Sequence, residues 1–234
     1  MSAAGLKHFG WGREGEGLTA EEEAFVMARA EARFGAAMKE SASPPRLEDI
    51  TLEAPRVMAP ASLPFCTSEH YDRAAHTYGK SYPELARALA RDYASAPDVV
   101  AYPRDEADVQ AVLGWASDAD ATVTPFGGGS SVCGGVESKR NGHKGAVTID
   151  LRQMGKVKEV DKTSRAALIE GGTYGPGSKR SCARTPSRCA TSRRASNIRR
   201  SAAGLRRAPA ATSPRSIRTS TISSNRCAPS RREA

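Results

Sequence analysis

The sequence is short of several things, and each shortage closes off a class of protein. No apolar run approaches the roughly 18 residues of a membrane-spanning helix. The five cysteines (Cys66, Cys133, Cys182, Cys189 and Cys227) form no C-x-x-C pair. Their odd number and scattered spacing suggest neither a zinc site nor a disulfide framework. The first ten residues have no apolar core of the secretory type, and the final R-R-E-A matches no retrieval signal. A reducing cytoplasm is the expected compartment. No aromatic residue follows Tyr174, and the only acid after residue 177 is Glu233.

That last shortage divides the chain. Residues 178–234 carry Lys179 and fourteen arginines against one acid, a surplus of fourteen positive charges. Residues 1–177 hold 20 basic and 25 acidic residues and are net −5, so the overall charge of +9 describes the tail and not the body. The tail also has twelve Ser and ten Ala, and its large aliphatics (Ile198, Leu205, Ile217 and Ile222) follow no useful period. Such a segment cannot bury enough apolar surface to offset its ordering entropy. The expected organisation is a helical arm over 1–64, a folded domain over 65–177 and a disordered tail over 178–234.

Within the arm, T-A-E-E from Thr19 has Glu22 at the third helical position, a capping-box pattern. Phe25, Met27, Ala30, Phe34 and Met38 recur at helical spacing, which predicts an amphipathic helix over 20–38. Five prolines within 41–64 predict an extended linker or packed arm. In the domain, S-Y-P-E from Ser81 is a second capping box, opening a helix with Leu85 and Leu89 on its buried face and ending near Tyr93. Strands are expected at 99–102, 122–125, 146–150, 157–160 and 166–170, with a helix from Asp105 to Ala116 between the first two. Only that first pair has a helical crossover, so the fold class is α+β with a mixed sheet.

The informative segment is Pro125, Phe126, Gly127, Gly128, Gly129, Ser130 and Ser131. Adjacent glycines bring main chain close to a ligand with no Cβ in the way. Successive N–H groups in such a turn form a concave nest for anions, and two serines add hydroxyl donors. No Gly-Lys-Ser/Thr follows, so this is not a Walker loop. It leads toward a strand and does not open a helix, so it is not the Rossmann fingerprint either. What remains is a diphosphate gripped by neutral donors, or a flexible surface hairpin.

The run of strand, P-R-D-E-A-D-V from Pro103, helix, strand and P-F-G-G-G-S-S from Pro125 resembles a known family. It continues through A-V-T-I-D-L-R-Q-M from Ala146 and A-L-I-E-G-G-T-Y-G-P-G from Ala167. The resemblance is to the FAD-binding domain of the vanillyl-alcohol oxidase and p-cresol methylhydroxylase flavoproteins. K-H-F-G-W-G from Lys7 and R-A-A-H-T-Y-G-K-S from Arg73 look most like the bacterial alkyl-dihydroxyacetone-phosphate synthase branch. The resemblance implies the N-terminal half of a p-cresol-methylhydroxylase-type domain, with Pro125 to Ser131 cradling the FAD diphosphate. Many relatives tether their flavin through a histidine near this loop. None lies between His76 and His143, so FAD is expected to be non-covalent. The implied reaction exchanges an acyl group for a fatty alcohol on dihydroxyacetone phosphate with no net redox change, on a lipid-linked substrate. No position here matches the family's catalytic histidines and tyrosine.

At Ser178 the family pattern stops. If each tail codon's first two bases are read as the last two of a codon in another frame, residues 212–225 permit H-F-A-T-L-Y-T-H-I-D-D-F-V-E. Residues 191–204 likewise permit a phrase ending E-Y-S-T-L-G-G-W, which resembles the family's second flavin loop. The tail therefore reads as out-of-frame translation, and weak or no FAD binding and poor solubility are expected of the chain. Beside this reading stand an α/β interaction domain without a ligand, and two further classes. One is an FAD-linked oxidoreductase acting on a hydroxy acid or alcohol. The other is a nucleic-acid-associated protein with a basic tail, against which the tail lacks stacking aromatics and regular R-G-G or R-S repeats. His76 is expected to be structural or at the surface, His8, His70 and His143 solvated, Cys133 a space-filler and Asp150 a turn cap.

Overall fold

Both capping boxes form. In helix α1 (Ala20–Phe34) the Thr19 hydroxyl accepts from the Glu22 amide, and the Glu22 carboxylate accepts from the Thr19 amide at 2.8 Å. Ser81 and Glu84 repeat the exchange at the start of α3 (Tyr82–Leu89). The computed structural model describes residues 7–10, 17–35, 43–161 and 166–173, with the backbone of three short strands at 187–189, 222–223 and 227–229.

α1 departs from expectation. It ends at Gly35 in a left-handed cap, and no residue on it is buried. Phe25, Val26 and Phe34 are exposed, so its apolar spacing does not face the domain core. Residues 43–65 do pack: Ile50 and Leu63 are buried around a turn of 3-10 helix at Leu47–Asp49.

The main sheet has four strands in the order β1 (Cys66–Thr67), β2 (Val99–Ala101), β4 (Gly145–Asp150), β3 (Ala121–Phe126). β2, β4 and β3 are parallel and β1 joins antiparallel, which gives the mixed sheet expected. Helix α4 (Glu106–Asp118), capped by the Asp105 carboxylate on the Asp108 amide, carries the chain from β2 to β3 and leaves room for β4 between them. Val112 and Ala116 of α4 pack with Leu63, Val99, Ala101, Val147 and Ile149 into one buried cluster. β4 is buried along its whole length, Thr148 and Asp150 included.

A second cluster joins Ile50, Ala74, Tyr78, Ala88 and Tyr93, with Phe9 from the N-terminal arm packed against it. Ala74 lies on α2 (His70–Ala75), a short helix with no sequence signal of its own. α3 ends at Leu89, before the expected Tyr93, because Arg91 turns left-handed with φ of 61°. β5 (Val157–Asp161) and β6 (Ala166–Ile169) form an antiparallel ribbon, and β8 (Ile222–Ser223) adds to β6. β7 (Ser187–Cys189) pairs with β9 (Cys227–Pro229). The remainder of the expected tail, residues 178–234, lies outside the described residues. Among the described residues, no helix is long and apolar enough to cross a membrane.

Candidate functional site

β2, β4 and β3 run parallel, so the loop leaving β3 lies at the C-terminal edge of the sheet, where open α/β sheets receive ligands. Pro125 and Phe126 still belong to β3, in register with Ile149 and Asp150 of β4. The chain then passes through Gly127, Gly129 and Ser130, all buried, before reaching the half-buried Ser131. Gly129 has φ of +65°, and a Cβ there would stand 2.7 Å from Cζ of Phe126. A glycine is required on both counts.

The loop is gripped from behind. The Lys80 amide donates to the Ser131 carbonyl at 2.6 Å, and the Ser131 hydroxyl accepts from the Gly135 amide at 2.9 Å. Gly79 permits this contact, since a Cβ there would lie 2.6 Å from the Ser131 carbonyl oxygen. The Lys80 amine is pushed down to about 8 by burial, with Glu84 pulling the other way. Beyond the loop, Glu137 accepts from Arg87 at 2.7 Å and from Ser95 at 2.8 Å. Burial alone would raise that carboxyl, but these hydrogen bonds win and hold it at about 2. Asp98 fixes the return to β4, accepting from Arg56 N, Arg140 Nη2 and the Ala146 amide.

Under the loop lies a buried polar cluster. The His76 ring sits 4.4 Å from the Phe126 ring between centroids. His76 Nε2 is 2.9 Å from Asp150 Oδ2, and Nδ1 is 2.6 Å from the Asp72 carbonyl. Arg152 donates to Asp150 through Nε at 2.9 Å and Nη2 at 2.6 Å, and its guanidinium stands 4.5 Å above the Tyr102 ring. The Tyr102 hydroxyl donates to Asp72 Oδ1 at 2.5 Å. Burial pushes that phenol up, opposed by Arg152.

Of the two roles expected of His76, structural or at the surface, the structure excludes the second: the residue is 1% exposed. Asp150 does cap a turn, accepting from the Arg152 amide, but it also carries the pair with His76. Their separation of 74 residues hides the pair from any spacing rule. His70 and His8 are not simply solvated; their Nε2 atoms meet the carbonyls of Ile50 and Pro45. His143 pairs with Asp120 at the surface. Cys133 is exposed and fills no interior space.

Two features of the loop fit an anionic ligand. The Ser130 hydroxyl is buried without a partner among the described residues. The amides of Gly128, Gly129 and Ser130 make no hydrogen bond to a described residue. Buried donors in native folds are normally satisfied, and a phosphate group meets that requirement.

Comparison with known proteins finds likeness over part of the chain. The family model described as FAD binding domain matches residues 97–185. Alkyldihydroxyacetonephosphate synthase of Dictyostelium discoideum is 35% identical over 104 residues, 44% of this chain and 17% of that protein. The synthase of Trypanosoma brucei brucei is 35% identical over 107 residues, 45% of this chain and 18% of its own length. A solved alkyldihydroxyacetonephosphate synthase superimposes with TM-score 0.70 at 20% identity, covering 86% of this chain and 42% of that one. The chain thus spans under a fifth of the curated relatives it matches. Residues 97–185 thus match an FAD binding domain, FAD is the cofactor of such a domain, and the chain has the fold of the solved synthase.

Proposed function

We propose that Pro125, Phe126, Gly127, Gly128, Gly129, Ser130 and Ser131 hold the diphosphate of a non-covalently bound FAD. The observation that carries this is Ser130, whose buried hydroxyl has no partner among the described residues, beside the amides of Gly128, Gly129 and Ser130, which make no hydrogen bond to a described residue. A diphosphate supplies acceptors for these donors, and the Phe126 side chain and the glycines exclude water from behind them. Non-covalent attachment is supported by His76, the histidine that folding brings to the loop. It is buried against Phe126 with both ring nitrogens within hydrogen-bond distance of oxygens.

The intact protein is, on this reading, an alkyl-dihydroxyacetone-phosphate synthase of ether-lipid synthesis. When bound, FAD supplies the chemistry for exchanging an acyl group for a fatty alcohol on dihydroxyacetone phosphate, with no net redox change. The residues of this chain bind and orient the dinucleotide. The relation to the two synthases favours this over an oxidoreductase of a hydroxy acid, since D-lactate dehydrogenase of Arabidopsis thaliana is 28% identical over 106 residues. The tail is read as out-of-frame translation of the region holding the second flavin loop. Sequencing the gene around codon 178 tests that, and the absence of any single-base change restoring a long frame refutes it.

Titration of the full chain with FAD, followed by flavin fluorescence, tests the binding reading. Saturable but weak binding is expected, through the diphosphate half alone. Ser130→Ala is expected to weaken it roughly ten-fold, the worth of one charge-assisted hydrogen bond. Where this chain binds nothing, the frame-restored chain decides: no saturable binding there, or no effect of Ser130→Ala on binding, overturns the reading.

A further inference from the structure

Two motifs of the sequence, far apart along the chain, meet in the fold. They are K-H-F-G-W-G from Lys7, of which residues 7–10 are described, and R-A-A-H-T-Y-G-K-S from Arg73. Phe9 of the first packs on the apolar cluster to which Ala74 and Tyr78 of the second belong. His8 Nε2 lies 3.0 Å from the Pro45 carbonyl and ties the arm down beside it. The cavity that His8, Phe9 and Gly10 share with Tyr78, Gly79 and Lys80 is about 10 Å³, room for one water at most. The arm therefore sits close on the second motif.

Gly79 and Lys80 in turn hold the glycine loop. The Lys80 amide donates to the Ser131 carbonyl at 2.6 Å, a close approach for an amide donor. A Cβ on Gly79 would stand 2.6 Å from that oxygen and 3.0 Å from Cγ2 of Val136, so main chain meets main chain here. Two groups fix the direction of the segment. The Glu84 carboxylate accepts from the Gly79 amide at 3.0 Å and the Ser81 amide at 3.2 Å, which leaves the Lys80 amide for the loop. The Tyr78 hydroxyl donates to the Asp92 carbonyl at 2.7 Å. Neither sets how firmly the segment is pressed toward Ser131. That depends on what packs against it, and close-packed interiors transmit such displacements.

The structure assigns to Phe9 the role of a positioning residue for the diphosphate loop: seated on its cluster, it braces Gly79 and Lys80 against Ser131. With the seat empty, the segment backs away, the bond from Lys80 to Ser131 opens more often, and the amides of residues 127–131 lose their fixed aim. This rests on the loop being the diphosphate site, but the brace itself is visible without FAD.

The test compares Phe9→Ala with Leu52→Ala in the full chain. Leu52 packs on the same cluster but does not line the cavity shared with Gly79 and Lys80. Amide hydrogen exchange is read at Lys80 and, as a measure of general stability, along β4. In Phe9→Ala the Lys80 amide is expected to lose roughly ten-fold more protection than the amides of β4. In Leu52→Ala the two are expected to fall together. An equal fall at both places in Phe9→Ala, or a loss at Lys80 as selective in Leu52→Ala, makes Phe9 ordinary core packing and overturns the proposal. Where Phe9→Ala does not fold, the milder Phe9→Val makes the same comparison.

FAD gives the second readout, on this chain or, where it binds nothing, on the frame-restored chain. Phe9→Ala is expected to weaken FAD binding roughly ten-fold and Leu52→Ala to leave it within about two-fold. Linkage requires the converse, so saturating FAD is expected to slow exchange at the amides of Phe9 and Gly10 in the wild type. Unchanged exchange there overturns the brace. If neither chain binds FAD, the diphosphate reading fails, and exchange at Lys80 still decides the role of Phe9.

Discussion

Substituting alanine at Gly129 and, separately, at Gly134 isolates the close contact on which the loop depends. Both positions are left-handed, with φ of +65° and +72°. An alanine in that region costs about 1–2 kcal/mol at either site. At Gly134 the new methyl has nothing within 4 Å, so the backbone cost is the whole cost. At Gly129 it stands 2.7 Å from Phe126 Cζ, and the Phe126 ring is backed by His76 and cannot swing away. Overpacking of that kind adds about 1–3 kcal/mol. Gly129→Ala is therefore expected to destabilise the chain by about 2 kcal/mol more than Gly134→Ala. Urea unfolding followed by circular dichroism measures both, provided the slopes with denaturant agree. Equal losses at the two sites would show that Phe126 yields freely and would refute a rigid loop.

Two further outcomes depend on pH. Glu137 is held at about 2 in the folded chain, below its ordinary value of 4.5. Its stabilisation is therefore present above the unfolded value and is lost as pH falls toward 2, so acid unfolding followed by circular dichroism should begin at higher pH in Arg87→Met. Lys80 is also lowered in the fold, from 10.5 to about 8. Its cost is then fully present below 8 and relieved as pH rises to the unfolded value. Lys80→Met should stabilise the chain at pH 7 by about 1 kcal/mol, discounted for partial exposure, and should remove the gain seen on moving to pH 10. An unchanged alkaline slope in that variant would contradict the assignment.

The sequence made local features legible. Thr19 and Ser81 announce their helices because capping is chemistry within four residues. The strands at 99–101, 121–126 and 145–150 stand out by their β-branched runs and flanking breakers, and the glycine loop by its composition. Long-range features were hidden. No spacing rule links His76 to Asp150 or Arg87 to Glu137, because those pairs exist only after β4 inserts between β2 and β3. The amphipathic spacing of α1 promised a buried face, yet Phe25 and Phe34 are exposed, because periodicity states which side is apolar and not what covers it. Distance along the chain also misled: His76 lies far from Phe126 in sequence and touches it in space.

Phosphorus NMR of FAD titrated with the full chain asks most directly whether neutral main-chain donors hold the diphosphate. Both diphosphate resonances are expected to shift on binding, and to stay at their free positions when Gly129→Val is used instead. Flavin that binds the wild type while its phosphorus signals remain unmoved would contradict the account.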